Sequence, residues 1–266
     1  MPNSAISYVD KHISPQVGCP APLLSDGCRF CWARDLHQQR HKAKVAGCSL
    51  PNMYKKTFEV LQWFPERLNE VSTWRSPQRV FVGPQTDTFH PLAPAQNVHA
   101  VLDVISDNEI ERNPMHLFLI LTKRATMMRT MMISRRPLAN LMLGCSICTQ
   151  AEAEYNLPIL ATLAERGFRT WASFEPQLEL IEPTMSAAKC LEWIVLGCES
   201  GGRARPYDLA WPRALIRWAS QGSGVPVFVK QIPSNCLSRP FTEPRQFPED
   251  LQIRNYARFT EGKVGP

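Results

Sequence analysis

Short apolar runs, each closed by a polar residue or a glycine, recur along the chain with helix-like stretches between them. Arg79–Val82 ends at Gly83, His116–Leu121 at Thr122 and Leu141–Leu143 at Gly144. Phe168–Ser173 runs into Phe174-Glu175-Pro176, Trp193–Leu196 ends at Gly197, and Pro226–Val229 ends at Lys230. Runs so short, and apolar at successive positions, predict parallel strands covered on both faces. A further strand is predicted near Lys11–Ser14. Between the runs, Ala95–Ser106 sets Val98, Val101, Leu102 and Ile105 on one helical stripe. Ala151–Arg166 does the same with Ile159, Leu160 and Leu163 and stops at Gly167; Asp208–Ser220 does so with Leu209, Leu215, Ile216 and Trp218.

Strand and helix alternating in this way give a parallel sheet. No G-x-G-x-x-G follows the first strand, which removes the main support for a dinucleotide-binding sheet. An open or partial (β/α) barrel is the architecture favoured. The residues just past each run then share one rim, where barrels of this kind carry their chemistry. That rim holds Asp87 and His90, then Thr122, Lys123 and Arg124, then Cys145 and Cys148. Glu175, Cys198, Glu199, Ser200, Lys230 and Gln231 complete it. Met127, Met128, Met131 and Met132, and also Trp193, Trp211 and Trp218, sit at spacings that read as core packing.

At 266 residues, 44% hydrophobic, the chain is long enough for one barrel domain, which uses about 200–250 residues. The expected division is a barrel over 1–232, with a cysteine loop at 19–31, and a Pro- and Arg-rich tail over 233–266. No window approaches the roughly 18 apolar residues of a membrane span. Asp10, Lys11 and His12 stand where a signal peptide would be apolar, so the expectation is a cytoplasmic protein. The nine cysteines then read as metal-binding or catalytic rather than as disulfides. A net charge of +6 is a mild excess that suits a polyanionic partner and also fits an ordinary basic surface.

Cys19, Cys28 and Cys31 form C-x8-C-x2-C on a loop after the first predicted strand, with a helix-like Ala33–Lys44 behind them. A structural zinc wants four ligands, and Cys48, His37 or His41 would have to supply the fourth. A cubane iron–sulfur cluster accepts three protein thiolates and leaves one iron open. Spacing alone leaves both readings standing.

The half-motif Cys28-Arg29-Phe30-Cys31 resembles the second half of the radical S-adenosylmethionine signature, C-x3-C-x-aromatic-C, with the first spacing lengthened to eight. The chain as a whole resembles a phage and bacterial family described only as a protein of unknown function and grouped with the radical S-adenosylmethionine barrels. The resemblance runs in order from about residue 12 to 232, through Gly18-Cys19, Gly27–Ala33, Arg79–Val82 and Thr86–His90. It continues through Leu121–Arg124, Leu143–Ser146, Ser173–Pro176, Gly197–Gly201, Arg205-Pro206 and Val229–Gln231. The family is distantly similar to spore photoproduct lyase, a radical enzyme acting on thymine in DNA. Two departures stand out: Cys145 and Cys148 replace a more usual Val and Glu, and Cys198 replaces a Gly.

The resemblance implies an α/β fold, a partial (β/α)6-type TIM barrel of the radical S-adenosylmethionine kind. It implies a [4Fe-4S] cluster on Cys19, Cys28 and Cys31, with S-adenosylmethionine on the open iron. One-electron cleavage there would yield a 5′-deoxyadenosyl radical that takes hydrogen from a substrate. On this view Phe30 lies beside the adenine. Asp87, Glu175 and Glu199 are candidates for the methionine ammonium or ribose hydroxyls, and Ser200 offers a backbone N–H to the carboxylate. Lys123, Arg124 and Lys230 are candidates for an anion, the plain alternative being ion pairs between these acids and these cations. Cys145, Cys148 and Cys198 would return hydrogen to a product radical or bind an auxiliary metal, unless they simply pack. The implied substrate is a thymine-derived base in phage DNA, isomerised, rearranged or repaired in the bacterial host cytoplasm. The implied enzyme is a monomer with an external donor such as flavodoxin or ferredoxin. Two alternatives remain: a radical enzyme on a small metabolite or peptide, and a zinc-stabilised nucleic-acid-binding module without catalysis.

Overall fold

The computed structural model of the chain describes residues 6–20, 25–111, 115–222, 224–234 and 240–259. Part of the expected loop between Cys19 and Cys28 (residues 21–24), and Cys236 and the end of the tail, lie outside the described residues. The strands are β1 (Lys11–Ile13), β2 (Gln16–Val17), β3 (Gln62–Trp63), β4 (Arg79–Val82), β5 (Leu117–Thr122), β6 (Leu141–Ser146), β7 (Arg169–Phe174), β8 (Trp193–Gly197) and β9 (Val227–Gln231). The helices are α1 (Trp32–Val45), α2 (Ala95–Glu111), α3 (Ala125–Met132), α4 (Gln150–Glu165), α5 (Met185–Ala188) and α6 (Ala210–Gln221). Seven strands pair in parallel in the order β1-β4-β5-β6-β7-β8-β9, and β2 and β3 form a separate antiparallel pair. The expected partial barrel is borne out, including its first strand.

Strand side chains alternate between two cores, as a period of two requires. Val80, Val82, Phe118, Ile120, Leu141 and Leu143 face the helices, as do Ala172, Phe174, Ile194, Leu196, Val227 and Val229. Phe81, Leu119, Met142, Trp171, Trp193, Val195 and Phe228 face inward. Tyr8, just before β1, enters this inner core. Its ring centroid lies 6.2 Å from that of Phe81 on β4 and 5.8 Å from that of Phe228 on β9. In a flat sheet β4 and β9, five strand spacings apart, would be separated by about 24 Å. One ring can touch both only because the sheet is curled into a half-barrel. Trp193 at 5.4 Å and Trp171 at 6.3 Å complete the contact.

The barrel is closed at the amino ends of its strands by residues 253–258. Arg254 makes an antiparallel bridge with Phe228, and Asn255 O accepts Trp193 Nε1–H at 2.7 Å. Arg79 donates to Ala257 O and Arg169 to Arg258 O, at 3.1 and 2.7 Å. The chain therefore crosses the bottom from the β4 side to the β9 side, leaving the opposite rim as the open end.

Gly144 on β6 opposes the Trp171 ring so closely that a Cβ there would stand 2.4 Å from indole atoms. Gly144→Ala is expected to destabilise the fold by about 1–3 kcal/mol through overpacking. In a Trp171→Phe background most of that penalty should disappear. Urea unfolding of the two single variants and the double variant measures it; equal penalties in both backgrounds would rule this account out.

Candidate active site

The carboxyl ends of the strands and the cysteine loop enclose one cavity. Cys19, Cys28 and Cys31 line it together, facing Lys123, Glu175 and Lys230. Phe30, Asp87, Cys198, Glu199 and Ser200 line it as well. Of the fourteen side chains given roles from sequence, all but Cys145 and Cys148 line this one space. Among the described residues no helix is long and apolar enough to cross a membrane.

Each cysteine is placed by a separate local device. Cys19 follows Gly18, whose φ of +97° suits glycine and whose Cβ would collide with Val60 O at 2.3 Å. Cys19 N–H then donates to Phe58 O at 2.8 Å. Cys28 closes a short turn by donating its N–H to Ser25 O at 2.8 Å. Cys31 is the N-cap of α1, so the cysteine loop ends where that helix begins. Burial, with Asp87, Cys31 and Cys28 adding to it against Arg124, pushes the Cys19 thiol up to about 11. His90 braces the same segment: Nδ1 accepts from Leu92 N at 3.1 Å, so Nε2 carries the proton donated to Pro20 O at 2.9 Å. Burial holds the His90 imidazole below its ordinary pKa, consistent with the neutral ring this pattern needs.

The rim acids are all paired. Asp87 accepts from Thr122 Oγ1 at 2.6 Å, Phe89 N at 3.0 Å, Lys123 N at 3.1 Å and Arg124 Nη1 at 3.0 Å. These bonds lock the turn after β4 to the end of β5 and use the carboxylate's acceptor positions. Glu175 accepts from Lys230 Nζ, an ion pair that reaches across β8. Gly197 makes room for that crossing, since its Cβ would lie 3.3 Å from Glu175 Cγ. Glu199 takes both prongs of the Arg205 guanidinium, at 2.9 and 2.7 Å, and Arg205 N at 3.0 Å. Arg205 Nη2 also donates to Asp26 O at 3.0 Å, which pins the cysteine loop to the segment after β8. The alternative of acid–cation pairs is thus the arrangement observed, for Asp87 with Arg124 and Glu175 with Lys230. Glu199 has an arginine that the rim pattern did not single out as its partner.

Phe30 carries three guanidinium groups about its ring, from Arg203, Arg205 and Arg29, at 5.0, 5.4 and 5.6 Å from the centroid. Lys123 sits among Cys148, Cys28, Glu152 and Cys31. Burial pulls its ammonium down, but the neighbouring thiols and the Glu152 carboxylate outweigh the effect and hold it above an ordinary lysine.

The three remaining cysteines separate. Cys198 lines the cavity, its thiol pushed up to about 12 by burial, with Glu175 adding to it. Cys148 is buried behind the cysteine loop, accepts from Ser25 Oγ at 3.7 Å and sits so close to Gly27 that a Cβ there would be 2.5 Å from its sulfur. Burial raises it to about 11. Cys145 faces the helices among Leu143, Ile147 and Phe174, and burial drives its thiol far up. The period of two on β6 turns it away from the cavity, so Cys145 leaves the catalytic candidates and packs as a small apolar residue. The three thiols do not gather into one site.

The candidate fourth ligands for zinc are employed elsewhere. His37 pairs with Lys56 O at 2.9 Å, His41 with Tyr54 O at 2.8 Å, and Cys48 is exposed beyond the end of α1. Among the described residues no three His, Cys, Asp or Glu side chains converge on a single-ion position. Sequence reasoning passed over Tyr8, which lines the cavity floor under Lys230, its ring centroid 5.9 Å from Nζ. It also passed over Arg205 as a partner for Glu199; an Arg six residues after an acid past a strand is the only signal, and it is faint.

Replacing Arg205 by Met leaves the Glu199 carboxylate, 4% exposed, without its cation. The expected loss is about 3 kcal/mol of stability. Adding Glu199→Gln should restore most of it, and alkylation of Cys28 should speed up in the single variant as Asp26 loses its donor. Denaturant unfolding with thiol-modification kinetics checks both.

No curated protein sequence matches this chain. Among solved structures it is similar to spore photoproduct lyase complexed with dinucleoside spore photoproduct, at 10% identity and a TM-score of 0.44, covering 84% of this chain and 64% of that one. Two variants of that lyase, one of them with the same dinucleoside, match at 10% identity and TM-scores of 0.42 over the same shares. The chain spans about two thirds of the length of these structures, 64% in each. A family model described as a protein of unknown function, DUF5131, matches residues 3–246, which agrees with the ordered motifs read from sequence. The chain belongs to that DUF5131 family.

Proposed function

We propose that this protein is a radical S-adenosylmethionine enzyme, with Cys19, Cys28 and Cys31 as the ligands of a [4Fe-4S] cluster. The observation that carries the reading is the sharing of one cavity by three loop thiols and the carboxyl rim of a parallel half-barrel. The donor chemistry fits. Thiolates are the ligands such clusters take, and three leave one iron free. A tetrahedral zinc would draw its sulfurs to within about 4 Å of one another, given Zn–S bonds of about 2.3 Å. A cube spreads its thiolates over different irons, so it does not require that convergence. Bound there, cluster and S-adenosylmethionine would supply one-electron bond cleavage and a carbon radical able to take hydrogen.

The chain's own groups bind, orient and shield. Phe30 offers an aromatic face, and Ser200 a backbone N–H, to the cofactor. Lys230, paired with Glu175, and Lys123, unpaired by any carboxylate at ion-pair distance among the described residues, are the cations offered to a carboxylate or phosphate. Asp87 and Glu199 act through Arg124 and Arg205 as positioning residues. The Tyr8 plug keeps water from entering through the barrel floor, which protects a reactive intermediate. Cys198, in the cavity wall, is the thiol placed to return hydrogen to a product radical; Cys148 stands behind the loop, where it supports Gly27.

The substrate we favour is a thymine-derived base in DNA. Exposed Arg29 and Arg203 at the mouth, and the +6 net charge, favour a polyanion, and a duplex base would have to leave its stack to reach the cavity. An external one-electron donor of the flavodoxin or ferredoxin class would reduce the cluster.

Anaerobic reconstitution is expected to give about four irons and four sulfides per chain. Cys28→Ala should lose the cluster and all 5′-deoxyadenosine formation; stoichiometric zinc without sulfide would overturn the reading. DNA should raise the yield of 5′-deoxyadenosine over S-adenosylmethionine alone, and its binding should weaken steeply with salt. A yield indifferent to every DNA tested would move the substrate to a metabolite or peptide.

A further inference from the structure

A second chamber adjoins the cysteine-lined cavity, between the first turns of α3 and α4. Lys123, Arg124 and Ser146 line both spaces, so they form the wall between them. The chamber, open on one side to solvent, offers about 440 Å³, the size of a small-molecule site.

Two of its polar side chains lack a protein partner. Asn156, on the inner face of α4, is 6% exposed, and Ser146, at the end of β6, is 5% exposed. Neither side chain has a hydrogen-bond partner among the described residues, yet neither is sealed from open space, so both present their polar atoms to the chamber. A buried amide left without a partner calls for an explanation, and a ligand of matching edge is one. Pro91, Ala125, Met127 and Ala151 supply apolar wall, and Ser25, Thr126, Lys123, Arg124 and Glu152 supply polar wall. Across the mouth stands the Tyr155 ring, 64% exposed, its hydroxyl tied to Thr126 Oγ1 at 2.9 Å.

Charge argues against an anion as the occupant. Arg124 is committed to Asp87, and the Glu152 carboxylate lines the chamber opposite Lys123. A planar, uncharged ring with an adjacent donor and acceptor suits the unpartnered amide and the apolar walls. Its edge satisfies the Asn156 amide, which donates and accepts side by side, and its faces meet Met127 and Tyr155. We propose that this chamber is a nucleobase subsite, with Asn156 reading the ring edge and Tyr155 stacking at the mouth. The inference rests on the nucleic-acid branch of the function proposed above and assigns the base to a space separate from the cofactor's.

The test is equilibrium dialysis of the purified full-length chain against each of the four deoxynucleosides, against short single-stranded oligonucleotides and against inorganic phosphate. At least one nucleoside should bind. Asn156→Leu should weaken it by about tenfold or more, and Tyr155→Ala by about fivefold or more. Thermal melts confirm that the variants fold; Tyr155 is exposed and Leu favours helix, so both should. Equal losses for the oligonucleotides identify a base within a strand, and losses confined to nucleosides identify a free one. No nucleoside binding, binding indifferent to both substitutions, or phosphate alone competing for the chamber would overturn the inference. None of these readings needs the cluster. Failure to cleave S-adenosylmethionine would therefore sink the radical reading while leaving the subsite standing, and normal cleavage with Asn156-independent binding would do the reverse.

Discussion

The architecture hinges on one aromatic ring. Tyr8 reaches Phe81 on one side of the sheet and Phe228 on the other, with Trp171 and Trp193 between. Aromatic pairs at these separations add to the burial of large apolar surface, and here they also fix curvature. Without a wedge of that size the inner faces of the strands would have nothing to close upon. The rim would open, and the cysteine loop would lose the strand ends that face it.

On that curved frame the polar rim is fastened by three pairs, Asp87–Arg124, Glu175–Lys230 and Glu199–Arg205. The first two join segments distant in sequence, and the third folds the segment after β8 back on itself. Surface pairs of this kind contribute little, but these are largely withdrawn from water, where breaking one partner is far costlier than the pair is worth. Their effect is to hold the cavity in one shape. The acids that a reader of the sequence would hand to a cofactor are each paired with a cation. Lys123 differs, having the thiols of Cys148, Cys28 and Cys31 and the Glu152 carboxylate as its electrostatic neighbours.

Much of this was legible in the chain. Six apolar runs and their intervening stripes specify the parallel order, because strands buried on both faces have few other ways to read. The rim followed from position alone, since every polar residue closing a run in a half-barrel lands at the same end. What the pattern could not distinguish was facing. Cys145 and Ser146 are neighbours on β6, and only the register of the folded sheet shows that the serine looks into the cavity and the cysteine into the helices. Nor could periodicity find Tyr8, which precedes the first strand and belongs to no stripe, or Asn156, which sits on a helical face otherwise built from Leu157, Leu160 and Leu163. The short pair β2–β3 is two residues long on each side and too brief to leave a pattern.

The strap of residues 253–258 has a kinetic meaning. With the lower end of the barrel sealed by that strap and by the Tyr8 cluster, the main cavity opens at the upper mouth. Whatever is seated nearest the floor leaves only past anything bound above it, so retention there is governed at one end of the barrel alone.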